Sequence, residues 1–168
     1  MGKLLYEAGF RLEFGQLIPF ILLIFIFLFP RIMRKYVEAT NVTVNMRYVH
    51  IFCRYAFVFV LVLALVTTAF QINMYNKTVG AYRKGDYKIA EGYVENFVPM
   101  PYEGRGNEES FEINGVKFSY SDYSIQSGYH NSKSHGGVIQ GNGQHLRIGY
   151  VYYNEIYGNV IVYIEQLP

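Results

Sequence analysis

The sequence is poor in cysteine, and its charges are unevenly distributed. Cys53 is the single cysteine among 168 residues, which excludes a disulfide within the chain and any paired-cysteine redox motif. Residues 73–168 carry 8 Lys plus Arg against 10 Asp plus Glu, a net charge of −2, whereas residues 1–72 sum to +4. Proteins that bind nucleic acid cluster Lys and Arg on one face. The charge balance therefore argues against a nucleic-acid partner.

Two apolar runs in the N-terminal part contain long stretches without charge. The first run, residues 14–30, gives roughly 25 Å of helix at 1.5 Å per residue, near the lower limit for crossing the hydrocarbon core of a bilayer. The second run covers residues 48–71, and its uncharged core begins at Tyr55. Both runs have the length and composition of transmembrane helices.

Two other interpretations of these runs are weaker. A cleaved signal peptide needs a basic N-terminal region and a small-residue cleavage site, but residues 1–13 mix acidic and basic side chains and no such site follows Pro30. Buried helices of a soluble core need a polar stripe, which residues 17–29 lack. The sequence therefore predicts two transmembrane helices, with the lipid bilayer as a partner.

The charge pattern also sets the predicted boundaries and orientation. The expected organisation is an N-terminal tail at residues 1–13, two transmembrane helices within residues 14–72 with a basic connector at residues 31–47, a linker at residues 73–84 and a soluble β domain at residues 85–168. The segment between the apolar cores holds five basic residues against Glu38, so the positive-inside rule places it in the cytoplasm and both termini outside. Basic residues directly after the second run weaken this bias, and the opposite orientation stays open.

The stretch SFEINGVKFSY, residues 110–120, predicts a β-hairpin. Asn114 and Gly115 separate two runs of alternating apolar and polar residues, the pattern of a two-residue type I′ turn. The register gives three cross-strand pairs: Ile113 with Val116, Phe111 with Phe118, and Glu112 with Lys117 as an ion pair. One face is then apolar and the other faces water, so this part lies outside the membrane.

Further strand-like runs occupy residues 88–98, 145–153 and 159–165, with a bulge or bend expected at Gly92. Together with the hairpin they give five or six short strands and no helix. Because closure removes sheet edges, we expect a small closed barrel of the oligonucleotide-binding or SH3-like size. The predicted fold class is membrane α plus β: a two-helix transmembrane hairpin followed by a small antiparallel β-barrel-like domain.

The segment of residues 121–144 is the expected position of a site. Loops of more than about 15 residues without regular structure are usually functional or disordered. The candidate ligand- or partner-binding residues in and beside this loop are Tyr120, Asp122, Tyr123, His130, His135 and Arg147. Arg147 either pairs with a ligand near Asp122 or lies exposed on the outside of the barrel.

These residues do not predict catalytic or metal chemistry. The spacing of His130, His135 and His145 matches no metal-binding pattern, and solvated loop histidines are the simpler interpretation. Ser134 and His135 are adjacent in sequence, which seldom points two side chains at each other. The glycine-rich HGGVIQGNG precedes a strand rather than a helix, which favours a plain turn over a phosphate site. We therefore expect no catalytic residue, no metal and no cofactor.

Four phrases of the sequence carry a resemblance: EGYVENFVPMP, ESFEINGVKFSYSDY, SHGGVIQGNGQHLRIGY and NVIVYIE. Over residues 85–166 the chain resembles a group of bacterial proteins that pair an N-terminal membrane segment with a small C-terminal β domain. Val138 stands where that group usually has proline after Gly-Gly. The resemblance implies a bacterial protein, and with the orientation above we expect a multi-pass inner-membrane protein whose soluble domain is periplasmic or extracellular. It implies no mechanism.

Two functions remain at this point. The first is a non-catalytic accessory or protein-interaction module that presents the β domain to another membrane or envelope protein, or to a second copy of the chain. The second is a membrane sensor or effector whose barrel binds a small molecule. The two differ in the barrel interior, which is either filled by side chains or open as a cavity. The residues expected to fill it are Phe111, Ile113, Phe118, Ile148 and Val162.

Overall fold

The computed structural model describes residues 2–9, 14–40, 42–103 and 106–168. The chain divides into two compact units. We call the part within Leu12–Phe70 the helical unit, and the N-terminal residues together with Gln71–Pro168 the β unit. The N-terminal and C-terminal segments of the chain therefore belong to the same unit.

Two long helices follow the two apolar runs. Helix α1 covers Phe14–Thr40 and α2 covers Met46–Lys77. Both are long and apolar enough to span a membrane. The helices continue through most of the predicted connector, because Lys and Arg are good helix formers and charge does not end a helix. Helix α2 begins where the side-chain oxygen Oδ1 of Asn45 accepts a hydrogen bond from the backbone N–H of Arg47 at 3.1 Å.

The described part of the β unit contains seven strands: β1 Lys3–Glu7, β2 Lys88–Tyr93, β3 Glu95–Val98, β4 Glu109–Ile113, β5 Val116–Tyr120, β6 His145–Asn154 and β7 Gly158–Gln166. All pairings are antiparallel, in the orders β1–β7–β6–β2 and β3–β4–β5. The expected closed barrel is wrong, since the described residues form two sheets that do not close. The chain changes sheet at Val94, whose backbone bonds to Gln144 and Gly143 instead of to a neighbouring strand.

Strand β1 lies within the segment predicted to be an N-terminal tail. It pairs with β7 at the edge of the four-stranded sheet, from Lys3 opposite Gln166 to Glu7 opposite Tyr163. The backbone N–H of Ala8 continues the pairing with a bond to the carbonyl of Val162 at 2.8 Å. The segment before α1 is thus joined to the strand that ends the chain.

The Asn-Gly hairpin is confirmed in its turn and its register. Asn114 and Gly115 have φ values of 49° and 75°, the positive angles that a type I′ turn requires. Strands β4 and β5 pair as expected, with Phe111 opposite Phe118. The expected ion pair of Glu112 with Lys117 is absent from the described contacts, and the Glu112 carboxylate accepts a hydrogen bond from Asn96 at 3.0 Å instead.

The core of the β unit lies between the two sheets. Phe111, Ile113, Phe118 and Ile148 are each at most 1% exposed and belong to one apolar cluster. Phe111 and Phe118 stack with ring centroids 5.1 Å apart. Aromatic rings of this size bury a large apolar area per residue, which stabilises a small domain.

A second apolar cluster covers the opposite face of the four-stranded sheet. Val162 is the extra residue of a β-bulge in β7, so it points away from Ile161 and Ile164 of the main core. It packs instead with Ala8 and with Val79 of the short helix α3, Val79–Arg83. The predicted linker at residues 73–84 is therefore helical for most of its length and is part of the β unit.

Candidate functional site

The long loop of residues 121–144 is folded onto the core of the β unit. Tyr129 is 4% exposed and Ile139 is fully buried. The backbone N–H of Tyr129 donates to the carbonyl of Ile161 in β7 at 2.8 Å, and its hydroxyl accepts from the N–H of Val138 at 2.6 Å. A Cβ added to Gly128 would lie 2.5 Å from the Ile161 carbonyl oxygen, so this close approach requires glycine.

Asp122 anchors the loop near its start. Its Oδ1 accepts a hydrogen bond from the backbone N–H of Ser132 at 2.6 Å, and its Oδ2 contacts the hydroxyl of Ser132. The same Oδ2 lies 2.8 Å from Nδ1 of His135. Burial opposes the charged form, but the bonds from Ser132 and His135 outweigh it and hold the pKa of Asp122 below its ordinary value.

A second carboxyl group, that of Glu109 in β4, holds the next residue of the loop. Glu109 is fully buried, and its Oε2 accepts from the backbone N–H of Lys133 at 2.9 Å. Its Oε1 accepts from the hydroxyl of Tyr120 at 2.6 Å. Burial, followed by this bond to Glu109, raises the pKa of Tyr120 above its ordinary range.

The two carboxyl groups together secure the start of a single helical turn. They bind consecutive backbone N–H groups, those of Ser132 and Lys133, directly at the start of the 3₁₀ helix Lys133–His135. A helical turn leaves its first N–H groups without internal partners, so bound carboxyl oxygens stabilise it. The loop is therefore held in one conformation by side chains from β4 and from its own first residues.

The serine and histidine side chains of this cluster meet at one ring nitrogen. Nδ1 of His135 lies 2.8 Å from Asp122, 3.2 Å from the Ser132 hydroxyl and 3.3 Å from the Ser134 hydroxyl. In a Ser–His–Asp relay the carboxylate and the hydroxyl bind opposite nitrogens of the ring. Here Asp122 and both hydroxyls lie near the same nitrogen, Nδ1 of His135. These contacts hold the loop in place, and they do not have the geometry of a Ser–His–Asp relay.

Exposed aromatic and apolar side chains lie on and beside the loop of residues 121–144. The ring of Tyr102 stacks on His135 with centroids 4.8 Å apart, and Tyr102 is 69% exposed. Tyr123 and Ile125, which follow Asp122, are 50% and 54% exposed. We call Tyr102, Tyr123, Ile125 and His135 the anchored-loop surface. Tyr123, Ile125 and His135 belong to the loop held by Asp122 and Glu109, and Tyr102 stacks on it from a separate loop.

The predicted site residues fall in three different environments. Asp122 and His135 are in contact within the loop, and Tyr123, the residue after Asp122, is 50% exposed. His130 lies in the same loop, with its Nδ1 2.8 Å from the Gly128 carbonyl. Tyr120 is 2% exposed and contributes to the core. It supports the turn through Glu109 and does not form part of the surface.

Arg147 lies apart from Asp122, in the middle of the four-stranded sheet. Its Nε lies 2.7 Å from Glu91 of β2 and its Nη1 lies 3.0 Å from Glu165 of β7. These carboxylates, Glu91 above all, raise the pKa of Arg147. Arg147 therefore joins three adjacent strands, and its side chain is 39% exposed.

Three residues of this site were not predicted from the sequence: Glu109, Ser132 and Tyr102. Glu109 carries a readable signal, because it alternates in phase with Phe111 and Ile113 and so points to the core face of β4. Ser132 and Tyr102 carry none, since Ser132 meets Asp122 only where the loop folds back on itself and Tyr102 comes from a separate loop. Among the described residues no group of three His, Cys, Asp or Glu side chains is placed to hold a metal ion.

Comparisons with protein-family models, with curated proteins and with solved structures find no match for this chain.

Proposed function

We propose that the chain is an integral membrane protein of two spans that presents the β unit as a non-catalytic protein-interaction module. The observation that carries this proposal is the pairing of β1 with β7. The chain leaves the β unit after β1, passes through α1 and α2, and returns to the same unit. An even number of membrane crossings fits this path of the chain, because β1 and the rest of the β unit then lie on the same side of the membrane.

The surface of the helical unit supports the membrane part of the proposal. Ile24, Phe59 and Leu65 are 62%, 65% and 62% exposed, and they belong to long apolar stretches of α1 and α2. Soluble proteins rarely expose contiguous apolar patches of more than a few hundred Å². In a hydrocarbon environment these apolar side chains are no longer exposed to water, and the helices satisfy their own backbone hydrogen bonds there.

Side chains where the end of α2 meets the β6–β7 hairpin, both within the β unit, are of the kinds found at membrane surfaces. The amide of Asn73, near the end of α2, donates to the hydroxyl of Tyr153 at 3.3 Å. The ammonium group of Lys77 lies 5.8 Å from the centre of the Tyr153 ring. Ile156, at the tip, is 83% exposed. Tyrosine, lysine and an exposed apolar tip at the end of a span are typical of the membrane–water interface.

The proposed contact region is the anchored-loop surface. Exposed tyrosines offer large rigid contact area with a polar tip, and a backbone already fixed by Asp122 and Glu109 loses little entropy on binding. The proposed partner is another membrane or envelope protein, or a second copy of this chain. By the positive-inside rule, the β unit lies in the periplasm or outside the cell.

The packing of the core favours this function over ligand sensing. The five residues expected to fill or line the interior, Phe111, Ile113, Phe118, Ile148 and Val162, are each at most 1% exposed. Four of them belong to one cluster, and Val162 fills the cluster on the other face of the sheet. Sensing a small molecule at these positions would require displacing side chains from a close-packed interior.

Site-specific photo-cross-linking in intact cells tests the proposal. A benzophenone amino acid in place of Tyr123 is expected to give a discrete cross-linked product. The same amino acid in place of Tyr93, which is 58% exposed on the four-stranded sheet, should give none. Asp122→Asn loosens the loop and should reduce the adduct from Tyr123. Equal adducts at Tyr123 and Tyr93, or none at either, would contradict the assignment of this surface.

A further inference from the structure

A groove of about 470 Å³ lies between α1 and α2 within the helical unit. Its apolar lining includes Phe27 of α1 and Phe57 of α2, and its polar lining is formed by Arg31, His50 and Arg54. We call it the basic groove. It combines an aromatic wall with the positive charges of two arginines and the imidazole of His50.

The two arginines lie at the level where the apolar stretches end. Residues 14–30 precede Arg31 without a charge, and residues 55–76 follow Arg54 without a charge. A helix pair in a bilayer presents such positions to the lipid headgroups, while the residues deeper in the span face acyl chains. The basic groove thus extends from headgroup depth into the hydrocarbon.

The charges of the basic groove are not neutralised within the described helices. The one acidic residue of α1 is Glu38, which lies 3.8 Å from Arg34, and α2 contains no Asp or Glu. The Arg31 guanidinium lies 4.7 Å from the centre of the Phe27 ring and donates to the Phe27 carbonyl at 3.4 Å. These contacts hold the cation at the groove and leave other donors of its guanidinium for an anion.

We propose that the basic groove binds one anionic phospholipid, with its phosphate at Arg31 and Arg54 and an acyl chain against Phe27 and Phe57. A guanidinium pair matches a phosphate in charge and donor geometry, and the aromatic wall matches the apolar chain. A zwitterionic lipid adds a positive choline to the same site and is disfavoured. The inference rests on the proposed two-span membrane arrangement.

Native mass spectrometry of the full chain in a neutral detergent tests this site. Phosphatidylglycerol should be retained as a single bound molecule, and phosphatidylcholine at the same concentration should be retained at least about tenfold less. The double variant Arg31→Gln/Arg54→Gln should lose phosphatidylglycerol retention by about the same factor. Arg54→Lys, which keeps the charge, should retain most of it.

The matched control is Arg34→Gln/Arg47→Gln, which removes the same charge from residues outside the groove lining. It should change retention less than about twofold. Equal losses in the two double variants, or equal retention of the two lipids by the natural sequence, would overturn the proposal. Alkaline washing of membranes distinguishes failure of the two-span arrangement from failure of the lipid site. Release of the chain into the supernatant would contradict the two spans. A chain that stays in the pellet but shows no lipid preference would contradict the lipid site in the basic groove alone.

Discussion

Apolar side chains point outward in the helical unit and inward in the β unit. Leu65 in α2 is 62% exposed, whereas Phe118 in β5 is fully buried. Burying apolar surface away from water stabilises a fold by roughly 25 cal/mol per Å². The β unit gains this stabilisation within the chain. In the proposed two-span arrangement, the helical unit would gain it from the lipid bilayer.

The largest difference between the two units is expected when one charged residue is introduced into each of them. Leu65 and Ile125 have similar exposure, 62% and 54%, so Arg at either position would be near neutral in water. At the middle of a span, arginine costs about 3 kcal/mol. Leu65→Arg should therefore greatly reduce recovery of the chain in alkali-washed membranes, and Ile125→Arg should leave it unchanged. Equal recovery of the two variants would mean that α2 does not lie in a bilayer.

A backbone change in the hairpin should have the next largest effect, confined to the β unit. Gly115 has a φ of 75°, so Gly115→Val forces a β-branched side chain into a strained conformation that costs about 1–3 kcal/mol. Lys117→Ala alters an exposed side chain and should cost less than about 1 kcal/mol. Denaturant melts should use the full chain in detergent, because a fragment starting at Gly85 lacks β1. Two equally mild variants would contradict the turn.

The smallest effect on stability is expected from removing the charge of Asp122, which holds the loop in place. Asp122→Asn weakens the bonds to Ser132 and His135 and should cost about 1–2 kcal/mol at neutral pH. Because the folded pKa of Asp122 is below 3.8, its contribution is complete above that pH and disappears as the pH falls through the folded value. The difference between the two proteins should thus shrink below pH 3.8. A difference that stays constant with pH would show that the carboxylate charge does not fasten the loop.

The sequence predicts the parts of the β unit that depend on local chemistry. The turn at Asn114 and Gly115 follows from the φ angles these residues tolerate, and the register of β4 and β5 follows from the turn. The apolar runs likewise predict α1 and α2, although the basic residues after Arg31 continue α1 to Thr40.

The features that sequence reasoning missed depend on distant contacts. Strand β1 is only five residues long, and its pairing with β7 joins residues that are far apart in the sequence. Barrel closure could not be judged from strand patterns, because the change of sheet at Val94 depends on bonds to Gln144 and Gly143. The aromatic stacking of Tyr102 on His135 likewise joins two separate loops.

Cysteine accessibility in intact cells tests the two-span arrangement most directly. In a Cys53→Ala background, cysteines at Lys3, Asn107 and Thr40 probe β1, the loop before β4 and the end of α1. A membrane-impermeant thiol reagent should label the cysteines at positions 3 and 107 and spare the one at position 40. Labelling at position 40 alone would invert the orientation but keep the two spans. Opposite labelling of positions 3 and 107 would contradict the pairing of β1 with β7 on one side of the membrane, and with it the two-span arrangement.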